Sequence, residues 1–171
     1  LLSEQEIELE AVYAAPFHNR RSEGPGDGME KSYQEILRLL ELLDVSPDDF
    51  AFKGSVDYLR RLDRPQRSPA ALDLIDRARQ SSPEDPLYVG VVGAATNISS
   101  AMLIEPAIIR NIVIVWLGGT AFYWPTASEF NLRQDILASL VLFDSGVPLV
   151  QLGTRPVVSH LHTTIPELEV N

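Results

Sequence analysis

Cysteine is absent from the 171-residue chain, which excludes disulfides, thiolate zinc sites and cysteine nucleophiles together. That absence suits a reducing compartment, and the expected location is cytoplasmic. Basic residues are scarce: 14 Lys and Arg stand against 24 Asp and Glu, a formal charge of −10. A field of that sign repels phosphate backbones, so nucleic acid is not an expected partner. A neutral small molecule or a divalent cation stays compatible with it. Long apolar runs are also missing. The most apolar stretch, residues 104–119, is interrupted by Glu105, Pro106, Arg110 and Asn111. It falls short of the ~20 residues that a membrane span needs, so no membrane partner is expected. The first six residues hold neither a basic nor an apolar signal segment, and Leu1 and Leu2 read as the tail of a helix already under way. No dinucleotide glycine fingerprint, Walker A sequence or nucleophile elbow occurs.

What is present alternates short apolar strands with longer helical periods. Ile7, Leu9, Ala11 and Tyr13 follow the period-2 pattern of a strand. A Gly/Pro-rich loop is expected over residues 16–28. Tyr33, Ile36, Leu37, Leu40 and Leu43 then recur at helical spacing, and residues 50–52 form a short strand candidate. Ser68 followed by Pro69 predicts a helix start, with Leu72, Ile75 and Ala78 on its inner face. The continuous apolar run 87–93 reads as a strand covered on both faces. A helix over 97–104, a buried strand over 112–117, a helix over 132–145 and a strand over 147–152 complete the order. This β-α-β-α alternation predicts one α/β domain, a mostly parallel central sheet flanked by helices. Ligands of such sheets bind beyond the carboxyl ends of the strands. The loops of interest are therefore residues 16–28, 93–97, 118–131 and 153–164.

Asn19 reads either as a turn former or as a partner for a ligand hydroxyl, because its amide both donates and accepts. His18 beside it reads as a structural or exposed histidine. Thr96 and Asn97 are candidate caps for the helix that follows them, and a backbone carbonyl there is a candidate ligand for a hard cation. Residues 118–131 form the most informative segment. Gly118 and Gly119 permit close backbone approach, and Phe122, Tyr123 and Trp124 either pack down or form a platform for a flat ligand. Glu129 and Asn131 stand just before a helix. One reading makes them site residues. The other makes Asn131 an N-cap with Gln134 completing a capping box, and Glu129 a favourable charge at a helix N-terminus. His160 and His162, without a third partner, make only a thin case for zinc.

Four ordered segments bring a resemblance. Residues 92–99 (VGAATNIS), 114–119 (IVWLGG), 128–131 (SEFN) and 142–149 (LFDSGVPL) resemble, in order and spacing, the inosine-uridine nucleoside hydrolase family. Residues 16–19 (PFHN) sit where that family places its first sugar-binding asparagine. The resemblance implies an α/β, nucleoside hydrolase-like fold with a site at the carboxyl ends of its strands. It implies an enzyme that cleaves the N-glycosidic bond of ribonucleosides, with a bound calcium holding the ribose diol and the attacking water. Carried over by position, Asn19, Glu129 and Asn131 bind ribose hydroxyls, the Thr96 backbone carbonyl ligates calcium, Leu117 stands beside the sugar, and Tyr123 and Trp124 flank the base.

The departures are equally concrete. The family carries an aspartate-rich calcium loop after its first strand and a later His-Asp segment, and neither lies among these residues. The fold is therefore expected to be incomplete, and the family's aspartate base is not assigned here. Three readings follow: a nucleoside hydrolase or part of one, a non-catalytic nucleoside-binding or scaffold descendant, and a generic nucleotide-binding module that the missing glycine fingerprint disfavours. A strand edge left open by a missing strand predicts homo-oligomers or self-association.

Overall fold

A computed structural model of the protein describes residues 7–170, so the helix tail expected at Leu1 and Leu2 lies outside the described residues. In chain order the elements are β1 (Val12–Tyr13), α1 (Pro25–Leu42), β2 (Ala51–Phe52), α2 (Pro69–Gln80), β3 (Leu87–Val91), α3 (Thr96–Ile104), β4 (Ile112–Leu117), α4 (Phe130–Gln134), α5 (Ile136–Asp144), β5 (Leu149–Leu152) and α6 (Ile165–Val170). Short 3-10 turns occupy Pro106–Asn111 and Val158–His160. Among the described residues every strand pairing is parallel, as the alternation requires, but the strands form two sheets, β1-β2 and β3-β4-β5.

Local signals explain several elements. Ser68 Oγ accepts the Ala71 N–H at 3.2 Å and Pro69 opens α2, so the predicted cap forms. On the inner face of α2, Ile75 and Ala78 are buried as expected, joined by Ala71 and Leu74, while Leu72 turns outward. Helix α1 begins at Pro25, inside the stretch expected to be loop, because its glycines serve contact rather than flexibility. A Cβ on Gly28 would overlap the Phe17 carbonyl, and one on Gly26 would crowd Val56. The alternation over residues 7–13 yields only the two-residue β1.

Ile112, Ile114 and Trp116 of β4 are fully buried against Leu74, Ile98, Met102, Ala138 and Leu142. Burying one such aliphatic side chain stabilises the fold by about 1.5–3 kcal/mol. The opposite face corrects the expectation of two-sided cover: Tyr88 is 69% exposed and Val92 80% exposed. The apolar run of β3 marks a strand, but one face of it meets solvent among the described residues.

Backbone parity shows how the two sheets confront each other. Val12 and Ala14 donate to the Phe50 and Phe52 carbonyls at 2.8 and 3.0 Å, which turns the peptide groups of Tyr13 and Ala15 away from β2. Ile114 donates to Pro148 at 2.8 Å, so alternate residues of β4 face β5 and the others face β3. The register Tyr88↔Val113 then directs the peptide groups of Tyr88 and Gly90 away from β4. Between these two open edges lies a cleft of about 530 Å³, walled by residues 12–17 on one side and 90–94 on the other.

Candidate functional site

The mouth of this cleft, beyond the carboxyl ends of β1 and β3, carries Asn19, Asn131 and Gln134. Asn19 belongs to the loop after β1. Its Oδ1 accepts the Arg21 N–H at 2.8 Å, and its own N–H donates to Ser22 Oγ at 3.1 Å. It is therefore a turn former whose Nδ2 remains uncommitted among the described residues. Both readings of Asn19 are compatible with that arrangement.

Asn131 enters from α4. Its Nδ2 donates to the Leu117 carbonyl at 2.8 Å, at the end of β4, which leaves Oδ1 without a partner among the described residues. Glu129, 9% exposed, is the N-cap of α4 and takes the place that the capping-box reading gave to Asn131. Its carboxylate accepts the N–H groups of Asn131 at 3.0 Å, Leu132 at 3.1 Å and Gly119 at 2.9 Å. Gly119 has φ +68, a conformation glycine adopts without strain. Glu129 thus fixes the backbone from which Asn131 projects.

The expected caps of α3 act elsewhere. Its N-cap is Ala95. Thr96 Oγ1 donates to Asp135 Oδ2 at 2.7 Å, while the Asn97 carboxamide donates to Ala14 O at 2.9 Å and accepts Ser55 N–H at 2.8 Å. Asn97 therefore bridges the loops that follow β1 and β2. The helix expected over 132–145 is two helices broken at Asp135, which is 3% exposed. Asp135 caps α5 through Ala138 N–H at 2.9 Å and also accepts Leu59 N–H at 2.7 Å. Its role was missed in the sequence, although aspartate before an apolar helical run is itself a cap signal.

Gln134 completes no capping box with Asn131, because the N-cap of α4 is Glu129. Gln134 Oε1 accepts the His18 N–H at 2.6 Å and the Tyr58 hydroxyl, and its Nε2 donates to the His18 carbonyl at 3.2 Å. Burial raises the Tyr58 pKa above its ordinary value, so the phenol remains a donor at neutral pH. The aromatic segment lies apart: Phe122 is 94% and Tyr123 78% exposed, Trp124 is half-buried, and none of the three lines the cleft. His160 and His162 are exposed, the first in a 3-10 turn.

The calcium implied by the resemblance does not fit the donors present. Among the described residues, no group of three or more His, Cys, Asp or Glu could hold a metal ion. Glu129 and Asp135 spend their oxygens on six internal donors, and Thr96 is fully buried. A single buried carbonyl is not a calcium site, which takes six to eight oxygens.

Comparison with known proteins bears on the whole arrangement. A family model described as inosine-uridine preferring nucleoside hydrolase matches residues 12–169. The pyrimidine-specific ribonucleoside hydrolase RihB of an Escherichia coli O157:H7 strain is 37% identical over 124 residues, covering 70% of this chain and 38% of that protein. The pyrimidine-specific ribonucleoside hydrolase RihA of Klebsiella pneumoniae is 28% identical over 189 residues, covering 96% of this chain and 57% of that protein. Among solved structures, an inosine-guanosine nucleoside hydrolase superposes with a TM-score of 0.62 at 18% identity, over 88% of this chain and 54% of that one. A purine-preferring ribonucleoside hydrolase from Gardnerella vaginalis gives 0.59 at 24% identity, over 72% and 48%. The chain thus spans about half the length of the proteins it matches, or less.

Proposed function

We propose, for a chain that belongs to the inosine-uridine preferring nucleoside hydrolase family, that the mouth of the cleft binds the ribose of a ribonucleoside and that the protein acts on its N-glycosidic bond. One observation carries the reading. Two asparagines from opposite walls, Asn19 and Asn131, line the same cleft with one uncommitted amide atom each, a donor and an acceptor. A vicinal diol presents both hydrogens and lone pairs, so a donor and an acceptor placed together suit it. Glu129 contributes by holding Asn131 rather than by touching the sugar.

A second reading, nucleoside binding without turnover, is favoured by a specific feature. The buried acids Glu129 and Asp135 are committed to internal donors, so neither is free to take a proton from water. The test is calorimetry with uridine and inosine alongside chromatographic detection of released base. Saturable binding with base release supports the hydrolase. Binding without release supports the second reading, and no binding to either nucleoside sinks both. Asn131→Ala and Asn19→Ala should each weaken binding roughly tenfold, the worth of one net hydrogen bond. Since the described donors do not form a calcium site, adding about 1 mM calcium should leave nucleoside affinity unchanged. A calcium-dependent rise in affinity would contradict that expectation.

A further inference from the structure

Asn19 follows β1 and Asn131 lies in the helix after β4, strands of different sheets, and among the described residues no hydrogen-bonded ladder joins those sheets. Their relative placement is therefore not set by strand register. Core packing and side-chain bridges across the cleft set it instead; beside the Asn97 link to Ala14, the described residues supply a compact set of bridges at the junction of α4 and α5. Gln134 binds both backbone polar groups of His18, the residue next to Asn19, and accepts the Tyr58 hydroxyl. Asp135 binds Leu59 N–H and Thr96 Oγ1. Two adjacent side chains thus gather the loop after β1, the loop after β2 and the first turn of α3. The same short helix has its start pinned to Gly119 by Glu129.

The two members of the junction differ in kind. Asp135 is buried and caps a helix, so its loss disturbs the core. Gln134 is half-buried on the cleft wall and touches no core side chain through its amide. Its three hydrogen bonds all lead to loops. A glutamine also meets the demand of His18 in full, because one end accepts the N–H and the other donates to the carbonyl. An acid of the same length supplies only the acceptor.

We propose that Gln134 is a positioning residue, which clasps the His18 backbone to α4 and so sets the Asn19 carboxamide opposite that of Asn131. The ligand arm of this proposal rests on the nucleoside-binding reading, while the clasp itself can be tested without ligand. Gln134→Met keeps the stem and removes all three hydrogen bonds. Gln134→Glu keeps the acceptor but sets a carboxylate against the His18 carbonyl.

In the free protein, amide hydrogen exchange at Arg21 and Ser22, whose N–H groups bond to Asn19, should accelerate roughly tenfold or more in Gln134→Met. Such a change corresponds to the loss of one or two net hydrogen bonds. Exchange at Ile114, in the middle of β4 and bonded to the Pro148 carbonyl, should stay unchanged. Gln134→Glu should exchange faster than wild type at pH 8 and return toward it as the pH falls to about 4, through the ordinary glutamate range, where a protonated acid again donates. If uridine binds the wild type, both variants should weaken it at pH 8, with Gln134→Glu recovering on acidification. Unchanged exchange at Arg21 and Ser22 overturns the clasp. Faster exchange with unaltered uridine affinity overturns the positioning role. Faster exchange in a protein that never binds uridine or inosine leaves the clasp standing and removes the nucleoside reading instead.

Discussion

Tyr13 donates its hydroxyl to Asp73 Oδ2 at 2.6 Å, and Arg77 Nε donates to the same carboxylate oxygen at 2.7 Å, so β1 is tied to α2 through one acid. Burial first, and then the hydrogen bond to Asp73, push the Tyr13 pKa far above its ordinary value near 10. A phenol that keeps its proton in the folded state, but releases it on unfolding, contributes stability in full below about pH 10. That contribution falls as the pH rises further, by up to about 1.4 kcal/mol per pH unit. Tyr13→Phe should cost about 1 kcal/mol at pH 8, where the hydrogen bond is intact. It should also lose less stability than wild type between about pH 10 and 11.5. Urea titrations at several pH values decide this, and parallel pH curves for the two proteins would refute it. Such pairings join residues 60 apart in sequence, so Tyr13 was legible as a strand residue but not as an anchor. Asn19 and Asn131 were legible as polar residues in loops at strand ends. The atoms that remain free on each became visible only once their neighbours were placed.

Helices show the same division between local and distant causes. The start of α2 follows from Ser68 and Pro69, adjacent residues whose chemistry is complete within one turn, and the sequence reads it correctly. The break at Asp135 does not follow from the apolar period that runs through it. It is imposed by donors from Leu59, 76 positions away, and Thr96, 39 positions away, which hold the carboxylate where it caps a new helix. Asp135→Ala removes three charge-assisted bonds and leaves the buried Leu59 N–H without a partner. The expected loss is about 3 kcal/mol or more. Chemical denaturation measures it directly, and a change under about 1 kcal/mol would show that the junction is held by packing alone. The phase of α2 teaches a related point. Leu72 stands three residues before Ile75, but the buried stripe runs through Ala71, Leu74, Ile75 and Ala78 and leaves the leucine beyond its margin.

At the scale of the whole molecule, two features favour association with other chains. The edges of β1 and β3 face each other across the cleft with peptide groups turned away from their own ladders. One face of the three-stranded sheet also presents Tyr88, Val92 and Val150 to solvent, the last 49% exposed, and contiguous apolar surface of that kind drives association. Net charge opposes this. At −10, copies of the chain repel one another at low ionic strength, where the screening length is long. The balance therefore depends on salt. At about 0.1 M the screening length is about 10 Å, and near 1 M it shortens to about 3 Å, which removes most of the repulsion while leaving apolar attraction intact. Sedimentation velocity should find species larger than the monomer, in a fraction that rises with both protein concentration and added salt. Replacing Tyr88 and Val92 with threonine and serine should lower that fraction without affecting the buried side of β3. A monodisperse monomer at both ionic strengths, with a sharp cooperative melt, would mean that the open edges and the bare sheet face are closed within a single chain.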